Sequence, residues 1–173
     1  MVGTQPFYGR RYREQVAANS TPATIVLAGA KIAFTVHPYE HDPRAQSYGL
    51  EAAEALGVEP SRVFKTLMVS VDGELCVGIV PVDMSLDLKS VAGALGGKRA
   101  SMAALGDAER ATGYVAGGIS PLGQKRPHRT VVDETALLWD TVYVSGGRRG
   151  LDIALAPDDL IALTGAVVVD IAR

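Results

Sequence analysis

KTLMVSV-DG-ELCVGIV, residues Lys65 to Val80, decides the architecture of this chain. Asp72-Gly73 is a two-residue connection that accepts positive φ, the conformation that matches the twist of two antiparallel strands. Alternation puts Lys65, Leu67, Val69 and Val71 on one face of the first strand. Counting back from the turn sets Val80 opposite Lys65 and Gly78 opposite Leu67. Both strands are apolar on both faces, so the hairpin is expected inside the fold and not at its rim.

Working outward, helix and strand signals surround the hairpin. Tyr48 to Leu56 is rich in Ala, Glu and Leu and stops at Gly57. Leu88, Val91, Ala92 and Leu95 recur at helical spacing before Gly96-Gly97, and a weaker helix is expected over Leu105 to Arg110. Upstream, Thr21 caps a helix that Pro22 opens and that runs to about Gly29. A strand, IAFTV (32–36), follows and Pro38 ends it; PYEHDPRAQS (38–47) reads as polar loop. Downstream, GYVAGGISPLGQKRPHR (113–129) is a long glycine- and proline-rich loop, of the kind that tends to be functional. Strands TVYVS (141–145) and LDIAL (151–155) enclose GGRRG (146–150). Pro157, Asp158 and Asp159 open a short helix that Gly165 ends, before a last strand, AVVVDI (166–171). The expectation is an α/β (α+β) domain over residues 21–173, with a polar extension, residues 1–20, made locally basic by Arg10, Arg11 and Arg13.

Composition narrows the class. The 173 residues are 47% hydrophobic and 21% charged, ordinary values for one domain with a real core. A net charge of -2 lacks the basic excess of a free-standing RNA binder, so any nucleic-acid contact is local or shared with a partner. The single cysteine, Cys76, excludes an internal disulfide and any multi-cysteine zinc site. With no apolar leader in Met1 to Ala18 and no apolar run of membrane length, a cytoplasmic location is expected.

No Walker loop, GxSxG elbow, HExxH or dinucleotide fingerprint is present. The three histidines, His37, His41 and His128, lack partners at ligand spacing, so no metal or cofactor is expected. His41-Asp42 reads as a solvated loop pair, and Cys76 as a buried apolar thiol of high pKa, unsuited to nucleophilic work. Lys65 is different: a lysine heading an apolar stripe either snorkels to water or faces a carboxylate or an anionic ligand. Asp152 interrupts LDIAL on the side of Ala154, facing either solvent or the same cleft as Lys65. Gly117-Gly118 and Gly146-Gly147 suit backbone amides that approach an anion or a carbonyl oxygen closely, and Arg148 and Arg149 after the second pair suit phosphate. From the residues alone the reading ends at an α/β domain with an anion-binding cleft.

VFKTL, LDLKSVAGALG, TGYVAGGISPLGQK and YVSGGRRGLDIAL, with YEHD upstream, resemble the YbaK/EbsC family of aminoacyl-tRNA editing proteins, in order and nearly throughout Thr21 to Arg173. The resemblance implies a mixed, barrel-like sheet with helices packed around it. It implies Lys65 and Gly117 as the central functional residues, with Tyr39, Tyr48, Thr66, Gly118, Ser145, Gly146 and Asp152 completing a substrate pocket. Tyr48 departs from the phenylalanine expected in the nearest branch but keeps the aromatic face. The implied activity is hydrolysis of misacylated Cys-tRNA(Pro), with prolyl-tRNA synthetase as the partner that supplies tRNA selectivity. Deacylation of Ala-tRNA(Pro), or non-enzymatic binding of a nucleotide or RNA 3′ end, are the alternatives.

Overall fold

The computed structural model describes residues 9–173. Its centre is the hairpin: β2 (Val63–Val71) pairs with β3 (Glu74–Pro81) in the register set by the turn, Lys65 opposite Val80 and Leu67 opposite Gly78. Asp72 at φ 49° and Gly73 at φ 91° make the connection expected of that pair. The remaining strands are β1 (Phe34–Pro38), β4 (Ala100–Met102), β5 (Arg129–Asp133), β6 (Val142–Arg148), β7 (Leu151–Leu155) and β8 (Val167–Val169). They form one mixed sheet in the order β1-β7-β6-β2-β3-β5-β8, with β4 attached to β2. This curled, half-barrel sheet is the mixed α+β architecture that the resemblance implied.

The hairpin is buried on both faces, as its two-sided apolar pattern requires. Phe64, Met68, Val77 and Ile79 belong to one core cluster, and Val69, Val71, Cys76 and Val80 to another. Cys76 is fully buried and its thiol is pushed up by desolvation, so it is core filling.

Helices α1 (Arg10–Ala18), α2 (Pro22–Gly29), α3 (Tyr48–Leu56), α4 (Leu88–Ala94), α5 (Leu105–Thr112) and α6 (Pro157–Thr164) complete the fold. Caps match the local chemistry. Thr21 and Thr24 form a reciprocal capping box on α2, Ser47 caps α3, and Gly57, Gly113 and Gly165 close α3, α5 and α6 in the left-handed region. Within the stretch read as an extension, α1 is helical, and Gln15 Nε2 reaches the Val36 carbonyl oxygen at 3.4 Å. Residues 1–8 of that stretch lie outside the described part of the chain.

Several boundaries differ from expectation: β2 begins two residues earlier, at Val63, and β6 runs on through Gly146 and Gly147 to Arg148. β1 runs through Pro38 instead of ending before it, because β1 is an edge strand and proline needs no ladder bond on its open side. The last strand shrinks to Val167–Val169. β4 and β5 were not expected as strands; β5 holds the β-branched run Thr130-Val131-Val132 and pairs in parallel with β3 and β8.

Asp133 ends β5 as a fully buried carboxylate. One oxygen accepts from the Thr135 backbone and hydroxyl, and the other accepts from the Ile171 and Ala172 amides at 2.9 Å. Removing it strands all four donors. Asp133→Ala is expected to cost about 2 kcal/mol and lower the thermal midpoint by several degrees. An unchanged midpoint would mean that the C-terminal segment is held by other contacts.

Candidate active site

The site originates in a change of partner along β2. Its first residues, Val63 and Phe64, pair in parallel with β6, and its last, Val69 to Val71, pair with β4. Between them, residues 65 to 68 have no strand on that side; the Met68 carbonyl accepts from the Ala103 amide instead. β6 and β4 part around this gap, and a cavity of about 390 Å³ lies there. A volume of that order takes a small ligand.

Lys65, Thr66, Tyr39, Tyr48, Gly117, Ser145 and Asp152 all line the cavity. Lys65 and Asp152 therefore share one cleft, which settles what alternation alone left open. Among the described residues they are the only ionic side chains in the lining. Lys65 is half-buried, and desolvation pushes its ammonium down from the ordinary range while Asp83 pulls it back up. Among the described residues it forms no ion pair or side-chain hydrogen bond.

Asp152 is only 5% exposed, and burial raises its carboxyl to about 7. It sits on β7 between Ser145 of β6 and His37 of β1. Tyr39 follows β1 and is anchored by its backbone N–H, which donates to the Gly150 carbonyl at 2.9 Å. Burial, then the nearby Asp152 and Glu51 carboxylates, push its phenol up to about 12. The Thr66 hydroxyl oxygen is buried with no hydrogen-bond partner, and Ser145 Oγ accepts only from the Gly147 amide, at 3.3 Å.

Tyr48 opens α3 and packs its ring on Gly117, where an added Cβ would stand 2.8 Å from the ring. Gly117 also has φ 80°, so glycine is required there twice over. Tyrosine in place of phenylalanine leaves this contact intact, since only the ring face is used. Gly118 and Gly146 do not line the cavity. Gly118 lets the long loop lie on the β6–β7 turn, where a Cβ would come within 2.8 Å of the Arg148 Cα, and Gly146 makes room for Leu151. The two glycine clusters thus meet, one supplying a lining residue and the other its support.

His41 and Asp42 form no hydrogen bond or ion pair with each other among the described residues. His41 Nδ1 pairs with Glu51 at 2.9 Å, while Asp42 accepts from Arg44. Several apolar lining residues, including Val82, Met102, Leu105 and Ile119, carried no site signal, because only the folded chain brings their segments together.

The lining holds no histidine or cysteine, and no hydroxyl in it bonds to a base. Such a cavity orients a ligand and stabilises charge; it is not built to mount a nucleophilic attack of its own. Among the described residues there is no group of three potential metal-ligating side chains, and no helix long and apolar enough to cross a membrane.

The curled sheet thus carries a nucleophile-free cavity that Lys65 and Asp152 both line. The chain belongs to the aminoacyl-tRNA editing domain family, whose model matches residues 42–163. It is 41% identical over 121 residues to EbsC of Enterococcus faecalis, named for Cys-tRNA(Pro)/Cys-tRNA(Cys) deacylation, a match covering 69% of this chain and 73% of EbsC. It is 31% identical over 100 residues to a proline–tRNA ligase of Maridesulfovibrio salexigens, covering 58% of this chain and 17% of the ligase. A crystal structure described as a trans-editing enzyme for prolyl tRNA synthetase superposes with a TM-score of 0.74 at 25% identity, covering 99% of both chains. The activity is that of an aminoacyl-tRNA deacylase, a hydrolase acting on the aminoacylated end of tRNA.

Proposed function

We propose that the chain removes cysteine wrongly attached to tRNA(Pro), using the thiol of the substrate as the nucleophile. The observation that carries this reading is the lining itself: it offers one cation, one buried carboxyl and a free backbone amide, but no nucleophile with a base. An aminoacyl ester is already activated, and bending cysteine so that its sulfur meets its own carbonyl is a problem of orientation.

In this scheme the cysteinyl sulfur bonds to the ester carbonyl carbon and the carbonyl oxygen becomes an oxyanion. Collapse breaks the bond to the ribose oxygen, which takes up the proton lost by the thiol. The cyclic thioester that leaves is opened by water to free cysteine. The Gly117 N–H, which donates to no acceptor among the described residues, faces the oxyanion. Lys65 holds the terminal nucleotide through its phosphate, Asp152 receives the α-amino group, and Tyr39, Tyr48, Thr66 and Ser145 shape the pocket. Alanine and serine lack the thiol, so selection is chemical as well as steric. Prolyl-tRNA synthetase is the proposed source of tRNA selectivity, a role supported by the net charge of -2 and by the related segment within a proline–tRNA ligase.

The test is a deacylation panel at substoichiometric protein with Cys-, Ala- and Pro-tRNA(Pro). Cys-tRNA(Pro) is expected to be consumed faster than the others by about ten-fold or more. Faster loss of Ala-tRNA(Pro) would reassign the substrate, and binding without turnover would make the chain a binding module. Adding synthetase to the same assay is expected to sharpen the preference for tRNA(Pro) over tRNA(Cys); no change would remove it from the scheme.

A further inference from the structure

The Gly117 amide owes its direction to residues outside the cavity lining. Ala116 is held by charged side chains on both of its backbone groups. Its N–H donates to Glu109 Oε1 of α5 at 2.9 Å, and its carbonyl accepts from Arg149 Nε of the β6–β7 turn at 2.8 Å. The Arg149 guanidinium also lies 5.1 Å from the centre of the Tyr48 ring, whose ring packs on Gly117. Gly118 N–H closes the loop on the Val115 carbonyl at 2.9 Å, which leaves the Gly117 N–H as the unsatisfied donor of the turn.

The Ala116 carbonyl and the Gly117 N–H belong to one peptide unit. That unit is planar and trans, so the two groups point in opposite directions. Fixing the carbonyl on Arg149 therefore aims the N–H away from Arg149. A cationic donor on the carbonyl also polarises the whole unit, making its N–H a stronger donor to a developing negative charge.

We propose that Arg149 and Glu109 are positioning residues, which clamp Ala116 from two elements and thereby aim and strengthen the Gly117 amide. The proposal rests on the oxyanion role given to Gly117 above. It assigns Arg149 a task different from the phosphate contact its sequence context invites: the side chain acts through a peptide plane and not on the RNA. Glu109 keeps the preceding peptide from rotating, so that the force exerted by Arg149 falls on the one that matters.

Two measurements on the full chain test it. The first is amide hydrogen exchange of residues 113–120, which needs no substrate. Arg149→Ala and Glu109→Ala are expected to speed exchange in this loop while leaving β2 and β3 protected. Unchanged loop exchange in both variants would overturn the clamp. The second is steady-state deacylation of Cys-tRNA(Pro) at two salt concentrations. Arg149→Ala is expected to lower kcat by about ten-fold, with KM and its salt dependence unchanged, as for an interaction realised in the transition state. Arg149→Lys and Glu109→Gln, which retain a donor and an acceptor, are expected to recover part of the loss. A raised KM with a weakened salt dependence and normal kcat would assign Arg149 to phosphate instead and overturn the proposal. If the wild-type chain leaves Cys-tRNA(Pro) intact, the substrate assignment fails, while the exchange measurement still decides the clamp.

Discussion

Lys65→Ala is expected to lower kcat/KM for deacylation by about 10²- to 10³-fold without unfolding the protein. Among the described residues Lys65 is the only cation in the cavity lining, so no neighbour substitutes for it. The loss comes from removing the charge of a half-buried group, where screening is weaker than at an exposed ion pair. Stability is expected to change little, because Lys65 is half-buried and forms no ion pair among the described residues, and its desolvation already opposes the charged form. Lys65→Met, which keeps the apolar stem, separates charge from packing. Both variants should melt near the wild-type temperature and both should be inactive. Deacylation at the wild-type rate by either would remove Lys65 from the site.

Asp152→Asn is expected to move activity and stability in opposite directions. The Asp152 carboxyl is raised from an ordinary 3.8 to about 7 by burial. Between these values the unfolded chain has lost this proton and the folded chain retains it, so the folded state binds more protons. Its contribution to stability therefore falls as pH rises through that window. Once both states are ionised the difference amounts to at most about 4 kcal/mol. Asparagine removes the ionisation, so the variant should equal the wild type in stability near pH 4 and exceed it near pH 8. Activity should show the reverse. If the ionised carboxyl receives the substrate ammonium, kcat/KM corrected for spontaneous hydrolysis rises with an apparent pKa about 7, and the variant loses both the rise and most of the rate. A buried acid that costs stability at working pH is the pattern expected of a residue retained for function. A variant no more stable at pH 8 would refute the burial argument, and a variant with an unaltered pH profile would refute the role.

Local chemistry carried much of the fold. The Asp72-Gly73 turn, the Thr21 cap and the stops at Gly57 and Gly165 act over a few residues, and each is where the residues place it. β4 was illegible because three residues carry too little pattern, and β5 was hidden because its β-branched run directly follows the glycine- and proline-rich loop. Pro38 misled for a different reason, since its effect depends on whether the strand has a neighbour on that side.

The site divides along the same line. An unusual lysine on an apolar stripe, and glycine clusters in a long loop, were visible without coordinates. The family strings named the pocket residues. Nothing local told Gly117, which lines the cavity, from Gly118 and Gly146, which do not. Nor did anything local point to the partner of His41, which is Glu51 from the following helix.

By itself, then, the sequence determined the hairpin, its register, the start of α2, the stops of α3 and α6 and, through its family strings, the membership of an editing family, because these depend on backbone preferences and contiguous residues. Only the tertiary structure decided that Lys65 and Asp152 face one cavity, that this cavity exists where β6 and β4 part beside β2, and that Arg149 bonds the Ala116 carbonyl beside it. Those facts depend on which strands share an edge and how two loops meet, and no short-range interaction encodes them.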